Sequence, residues 1–324
     1  MEIFNHNSNI HFLRIRRYSI TIALLLMAGS LALLATKGLN YGLDFSGGVA
    51  VEVEYQQPVD VSDVRAALEK HNLEHAVVQS MGGTRQIAIR LQPKDDPSIA
   101  QASAGMTASA QADRAGNDVI AALKAERSDV QLKSRNFVGP QVGQELRTDG
   151  SIAAIFVIIG IGLYLWIRFE RRFAIAALAT EVHDVLVTLG VFALMQREFD
   201  LTVLASVLAV IGYSINDKVV VFDRVRELFR LARKADPEDI LNRSINTTLS
   251  RTIITSMFTG ITMGALYFLG GPVVHGFAVT MLIGIVVGTL SSIFIASPIL
   301  LWLGVSKKDL MPHTKENPEL ARRP

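Results

Sequence analysis

The sequence predicts an α-helical integral membrane protein of six spans, with a small α+β domain inserted after the first. Half of its 324 residues are hydrophobic and only 19% are charged, too apolar a balance for an ordinary soluble protein. Its apolar runs are long enough to cross the roughly 30 Å hydrocarbon core of a bilayer. A polar stretch of about 110 residues, enough for an independent core, separates the first run from the rest.

The spans fall near Tyr18–Thr36, Ser151–Ile167, Phe173–Met195, Leu201–Phe222, Thr252–Gly270 and Gly276–Leu303. The first is of full-span length, and no small-x-small cleavage site follows it before Lys37, so it reads as a retained helix rather than a cleaved signal peptide. Basic residues fix the orientation. Arg14, Arg16 and Arg17 precede the first span, and Arg168, Arg171 and Arg172 join the second to the third. Arg224, Arg226, Arg230, Arg233, Lys234 and Arg243 join the fourth to the fifth, and Lys307, Lys308, Arg322 and Arg323 follow the sixth. The opposite short loops carry Arg197 in one and neither lysine nor arginine in Gly270–Gly276. The positive-inside rule then predicts cytoplasmic termini, residues 1–17 and 304–324, with residues 38–149 outside, in the periplasm where there is one, and spans two to six within 151–303.

Within the external domain, Val49–Tyr55 alternates as a strand does, and Val61–His71 carries apolar residues at helical spacing. Ala76–Gln79 and Gln86–Leu91 read as strands around the turn Gly82-Gly83. An Ala-rich helix ending near Arg127 and a strand over Asp129–Val138 follow. The order βαββαβ predicts a ferredoxin-like sandwich. Residues 97–116, rich in Ala, Ser and Gln, read as a loose linker or insertion.

The charged residues inside apolar runs are the candidate chemistry. A carboxylate near mid-bilayer costs ~2.5–3.5 kcal/mol on insertion scales, so Asp217 is expected to titrate rather than decorate. The bland alternative is a structural carboxylate near the water interface, five residues from the end of its run. Lys218 is expected to snorkel to the cytoplasmic surface, because neighbouring helix positions point about 100° apart. Glu181 and Asp184 share a face of the third span at i, i+3 spacing, with His183 pointing elsewhere; a proton relay and interhelix hydrogen bonding are equally open. A metal reading is weak, since the spacing is poor and no third ligand is evident. Arg251, at the mouth of the fifth span, is either a positive-inside anchor or the partner of ionised Asp217. The absence of cysteine removes disulfides and thiolate metal sites. No metal or cofactor is expected, and a net charge of +2 argues against a nucleic-acid partner.

Gly42-Leu-Asp-Phe-Ser-Gly-Gly48, with Phe45 inside it, reads as a turn: its glycines Gly42, Gly47 and Gly48 allow positive φ, and Asp44 or the serine can close the loop through side-chain hydrogen bonds. It lacks the lysine and strand-to-helix context of a phosphate loop. Val138-Gly-Pro-Gln-Val-Gly-Gln-Glu-Leu146, with Gly139, Pro140 and Gly143, reads as a hinge into the second span. Gly160 with Gly162, and Gly284 with Gly288, mark close helix packing within the chain or against a partner.

Together with Ile211-Gly-Tyr-Ser-Ile-Asn-Asp217, Phe222-Asp-Arg224, Arg251-Thr-Ile-Ile-Thr-Ser256, Gly270-Gly-Pro272 and Thr280-Met-Leu-Ile-Gly284, these two segments resemble the SecD/SecF family, and within it the smaller subunits. The resemblance runs in order over nearly the whole chain. It implies half of an RND transporter, with a homologous chain, SecD, supplying six further spans. It implies accessory service to the SecYEG channel, with YajC a further candidate partner, in which proton-motive force moves unfolded preprotein on the outer side of the inner membrane. It assigns proton passage to Asp217 and Arg251, and it expects a small polar residue where Lys218 stands. Two rival readings are a small-molecule RND exporter, which calls for a bulkier external domain and a duplicated chain, and a purely structural assembly subunit. No nucleotide site and no nucleophile triad is evident, so the chain is not expected to be an enzyme.

Overall fold

A computed structural model describes residues 9–71, 73, 76–81, 84–91, 108–232 and 236–306. The Gly82-Gly83 turn, residues 97–107 of the Ala-rich stretch, Arg233, Lys234 and the basic tail beyond residue 306 lie outside the described residues.

A single 3-10 turn, Phe12–Ile15, leads into α1 (Arg16–Thr36). β1 (Asn40–Tyr41) and the one-turn α2 (Leu43–Ser46) then lead to the inserted domain. That domain runs β2 (Gly48–Tyr55), α3 (Val61–Glu69), β3 (Val77–Ser80), β4 (Gln86–Leu91), α4 (Ala108–Glu126) and β5 (Val130–Val138). The element order is the expected β-α-β-β-α-β, and the sheet order is β3-β4-β2-β5 with every neighbour antiparallel. Val49, Val51 and Val53 alternate inward against Ile87 and Ile89, and α3 and α4 cover that face through Val64, Leu68, Val119 and Leu123. Asp60 caps α3 by accepting from the Ser62 amide, one of the donors a helix start leaves unpaired. Helix α4 begins at Ala108, so the second half of the stretch read as a linker is helix.

Six helices among the described residues are long and apolar enough to span a membrane. After α1 these are α5 (Pro140–Arg168), α6 (Arg171–Met195), α7 (Leu201–Leu231), α8 (Pro237–Leu269) and α9 (Pro272–Ser291). The last continues through a π turn, Ser292–Ala296, into α10 (Ser297–Trp302); Pro298 has no N–H to give to a regular helix there. Several helices outrun the apolar windows. The 31 residues of α7 span about 46 Å, beyond the hydrocarbon core, and its final turns carry Arg224, Arg226 and Arg230. Hydropathy sees only the lipid-soluble part of such a helix. Helices α6, α7 and α9 form the buried middle, while α1, α5 and α8 leave most of their apolar side chains uncovered. Gly284 and Gly288 let α9 approach α7, where a Cβ would run into Val210 and Ser214, whereas Gly160 meets nothing.

Candidate functional site

Lys218 is the centre of the site, and it does not snorkel. Its side chain is fully buried, and its ammonium donates to Glu181 Oε2 at 2.7 Å, Asp184 Oδ2 at 2.8 Å and Ser214 Oγ at 2.7 Å. Those three acceptors use all three ammonium protons. Asp184 Oδ2 also accepts from Ser214 Oγ at 2.7 Å and from Ser291 Oγ at 2.6 Å, so the knot ties α6, α7 and α9 together. Snorkelling fails because this face of α7 is turned to α6, where two carboxylates one turn apart offer a better partner than distant water. Glu181 and Asp184 share a face, as their spacing requires. His183 lies beside them after all, its Nδ1 3.0 Å from Asp184 Oδ1. A lysine ammonium occupies the space between the carboxylates, which is no arrangement for a metal ion.

Asp217 lies on the adjoining face of α7, outside this knot. It is 3% exposed, and its Oδ2 is buried without a hydrogen-bond partner. The expected pairing with Arg251 is not present among the described ion pairs. Arg251 is exposed and lines a cleft with Asp223, Arg224, Glu227 and Thr248. The reason is register. Tyr213 Oη donates to Ser256 Oγ at 3.2 Å, and Ser256 bonds Thr289 at 2.7 Å. One turn along both antiparallel helices, that register sets Thr252 at the level of Asp217, and Thr252 Oγ1 is likewise buried and unpartnered. Arg251, one position away, is turned about 100° outward. Asp223 instead accepts two hydrogen bonds from Arg168, at 2.7 and 2.9 Å, at the end of the bundle remote from the inserted domain.

The glycine segments form a packed joint. Of the segment's three glycines, Gly47 and Gly48 use the freedom of positive φ, at 68° and 121°. Gly42, with φ of −70°, donates its N–H to Phe199 O at 2.8 Å, and Asp44 accepts from the Leu201 amide at 3.1 Å. β1 pairs in parallel with β6 (Glu198–Phe199), which lies in the turn between α6 and α7. Phe45 stacks on Phe199 with ring centres 5.9 Å apart. Gly139 caps α5 and Pro140 opens it, while Gly143 sits so close to Gly47 that a Cβ would lie 2.9 Å from its amide nitrogen. Arg90 of β4 reaches into this joint, donating to Tyr41 O at 2.9 Å and Glu198 Oε1 at 3.2 Å. Burial pushes the Glu198 carboxyl above the usual carboxylate range, with the Arg90 charge opposing it.

Comparison with known proteins matches this architecture throughout. Residues 118–306 fit the model of the protein export membrane protein SecD/SecF C-terminal family, and residues 32–59 fit the SecD/SecF GG motif, the glycine turn just described. The chain belongs to the SecD/SecF family. It is 44% identical over 303 residues to the protein translocase subunit SecF of Pseudomonas aeruginosa, covering 94% of each chain. It is 42% identical over 312 residues to that of Vibrio alginolyticus, covering 96% of this chain and 95% of the other. The crystal structure of SecDF, a translocon-associated membrane protein from Thermus thermophilus, superposes with a TM-score of 0.79 at 32% identity. That match takes in 93% of this chain and 39% of the longer SecDF polypeptide. As a SecD/SecF family member with six apolar helices, the chain is a multi-pass membrane protein of the protein-export class.

Sequence reasoning missed Lys218, Ser214, Ser291, Arg90 and Glu198. One signal for Lys218 was in plain view. Between Phe173 and Phe222 the only lysine or arginine besides Arg197 is Lys218, and two carboxylates a turn apart inside a bundle call for a cation.

Proposed function

We propose that this chain is a non-enzymatic accessory subunit of the Sec protein translocase that couples proton movement to late steps of preprotein translocation. In this reading it lies in the bacterial inner membrane with its termini cytoplasmic and the inserted domain periplasmic. It works beside SecD, the SecYEG channel and the unfolded chain it helps to move. The observation that carries the reading is the buried charge system on α6 and α7. With every group ionised, Glu181, Asp184 and Lys218 sum to one net negative charge in a medium of low dielectric, and one proton brings that sum to zero. Lys218 and Asp217 lie on adjacent faces of α7, so neutralising either side changes what holds that helix in place. The hydroxyls of Ser214 and Ser291 donate to Asp184 and His183 sits beside it, so these three side chains position that carboxylate, and Arg251 meets ionised Asp217 in the second arrangement of α8.

Each elementary charge crossing the membrane yields about 2.3 kcal/mol per 100 mV, and the pH gradient adds to that. A few kcal/mol suffices to shift a two-state helix arrangement from mostly one form to mostly the other. The test is export of a reporter preprotein into inverted membrane vesicles, with the proton gradient imposed and ATP supplied separately. Asp217→Asn should abolish the gradient-dependent part of export at normal protein abundance. Gradient dependence that survives the substitution would remove Asp217 from the mechanism, whereas unmodified protein indifferent to the gradient would favour a purely structural subunit.

A further inference from the structure

Arg90 is the only buried polar or charged side chain of the inserted domain among the described residues, 2% exposed. Alternation along β4 turns Ile87, Ile89 and Leu91 into the domain core, which puts Arg90 on the opposite face of the sheet. It is buried there because the joint covers it. The guanidinium is seated on Tyr41 O, Glu198 Oε1 and Asn40 Oδ1, at 2.9, 3.2 and 3.4 Å. Glu198 is in turn held by the Leu43 amide at 3.4 Å, and Asn40 donates to Gln196 O at 2.9 Å. All of these acceptors belong either to the chain leaving α1 or to the turn that joins α6 to α7. Those same two helices carry Glu181, Asp184 and Lys218.

We propose that Arg90 is a positioning residue that fixes the inserted sheet to the α6–α7 turn, so that a shift of α6 against α7 reaches the domain as a rigid displacement. This deepens the coupling reading above and rests on it. A glycine hinge alone would let the domain lag behind the helices. A buried guanidinium shared by three acceptors on two segments does not, because tilting the sheet strands a charge away from water and from its partners. The joint is therefore a mount in which Arg90 ties the sheet to the turn, beside the β1–β6 pairing and the Phe45–Phe199 stack, and a relative movement at the charge cluster is delivered to the surface that lies outside the membrane.

The experiment uses the full chain in its complex, in the same vesicles. Arg90→Gln should cut gradient-dependent export by about tenfold or more, because it leaves a buried charged contact with one partner, with abundance and the ATP-driven part unchanged. Because the chain has no cysteine, the pair Arg90→Cys with Glu198→Cys can be bridged selectively by a bifunctional methanethiosulfonate reagent. Export should be low before bridging, restored by it and lost again on reduction. A bridged pair no better than the unbridged one, or an Arg90→Gln protein with wild-type gradient dependence, overturns the proposal. Should Arg90→Gln fail to accumulate, Arg90→Lys, which keeps the charge but reaches fewer acceptors, should give intermediate export, and wild-type export from it again overturns the proposal. Wild-type vesicles indifferent to the gradient would instead sink the coupling reading itself, and this inference with it.

Discussion

At the scale of single residues, the bundle is governed by where one ammonium goes. A buried ion pair is weak evidence of net stability, yet removing one partner is costly because it leaves charge uncompensated. Lys218→Met strands Glu181 and Asp184 against each other and should destabilise the protein by about 3–5 kcal/mol. Adding Glu181→Gln and Asp184→Asn removes the stranded charge, so the triple variant should recover most of that loss. Thermal unfolding in detergent, followed by circular dichroism, reads the difference. A triple variant no more stable than Lys218→Met alone would show that the knot's hydrogen bonds to Ser214 and Ser291, rather than its charge balance, decide its energy. The same residue shows what a sequence can and cannot disclose. Asp217 was legible because a lone carboxylate in an apolar run has no cheap explanation. Which neighbour of Asp217 faces inward was not, because that depends on how α6 and α9 pack around α7, and the acceptors of Lys218 on α6 lie 34 and 37 positions away. Arg90 was invisible for a similar reason. Strand alternation assigns it to the solvent face, and its partners lie 49 to 108 positions along the chain.

At the scale of elements, hydropathy and alternation disclosed the six spans and the order of strands and helices, since both are local properties of sequence. The ends of α7 and α8 were not disclosed, because a helix leaving the bilayer changes its composition without changing its hydrogen bonding. Glycines were read as packing signals, but which ones carry a contact depends on the partner surface. Gly190 is the clearest case. A Cβ there would fall on the side chain and backbone of Ser30, so α1 can lie against α6 only while that position stays bare. Gly190→Leu should therefore cost about 1–3 kcal/mol through overpacking. Gly160→Leu, on an exposed face of α5 with nothing within 4 Å, should change stability by no more than about 0.5 kcal/mol. The two variants differ only in what faces the new side chain. Equal melting temperatures would mean that α1 is free to move off α6, and the tight contact would lose its structural meaning.

At the scale of the whole molecule, the outer helices keep apolar faces that nothing among the described residues covers. The inner helices α6, α7 and α9 are covered, but α8 presents Met257, Phe258 and Ile261 outward. On the same side Gly260 and Gly264 of α8 meet nothing within 4 Å, and neither does Gly212 of α7. Lipid tails tolerate any apolar shape, whereas a partner helix needs small residues to come close. The longer SecDF polypeptide, of which this chain matches 39%, supports a homologous helix set as the neighbour. Gly260→Trp should then leave the chain's own melting temperature nearly unchanged, since the new ring enters space this chain does not fill. It should nevertheless reduce co-purification with a SecD-type partner by roughly fivefold to a hundredfold, because one clash in a close-packed interface costs about 1–3 kcal/mol. The control is Ile261→Leu, which keeps volume at an exposed neighbouring position and should leave the complex intact. If Gly260→Trp binds the partner as well as the unmodified chain does, this face of α8 belongs to lipid. The burial of Asp217 on the adjoining helix would then be complete within this chain alone, and the acid would need no second subunit to shield it.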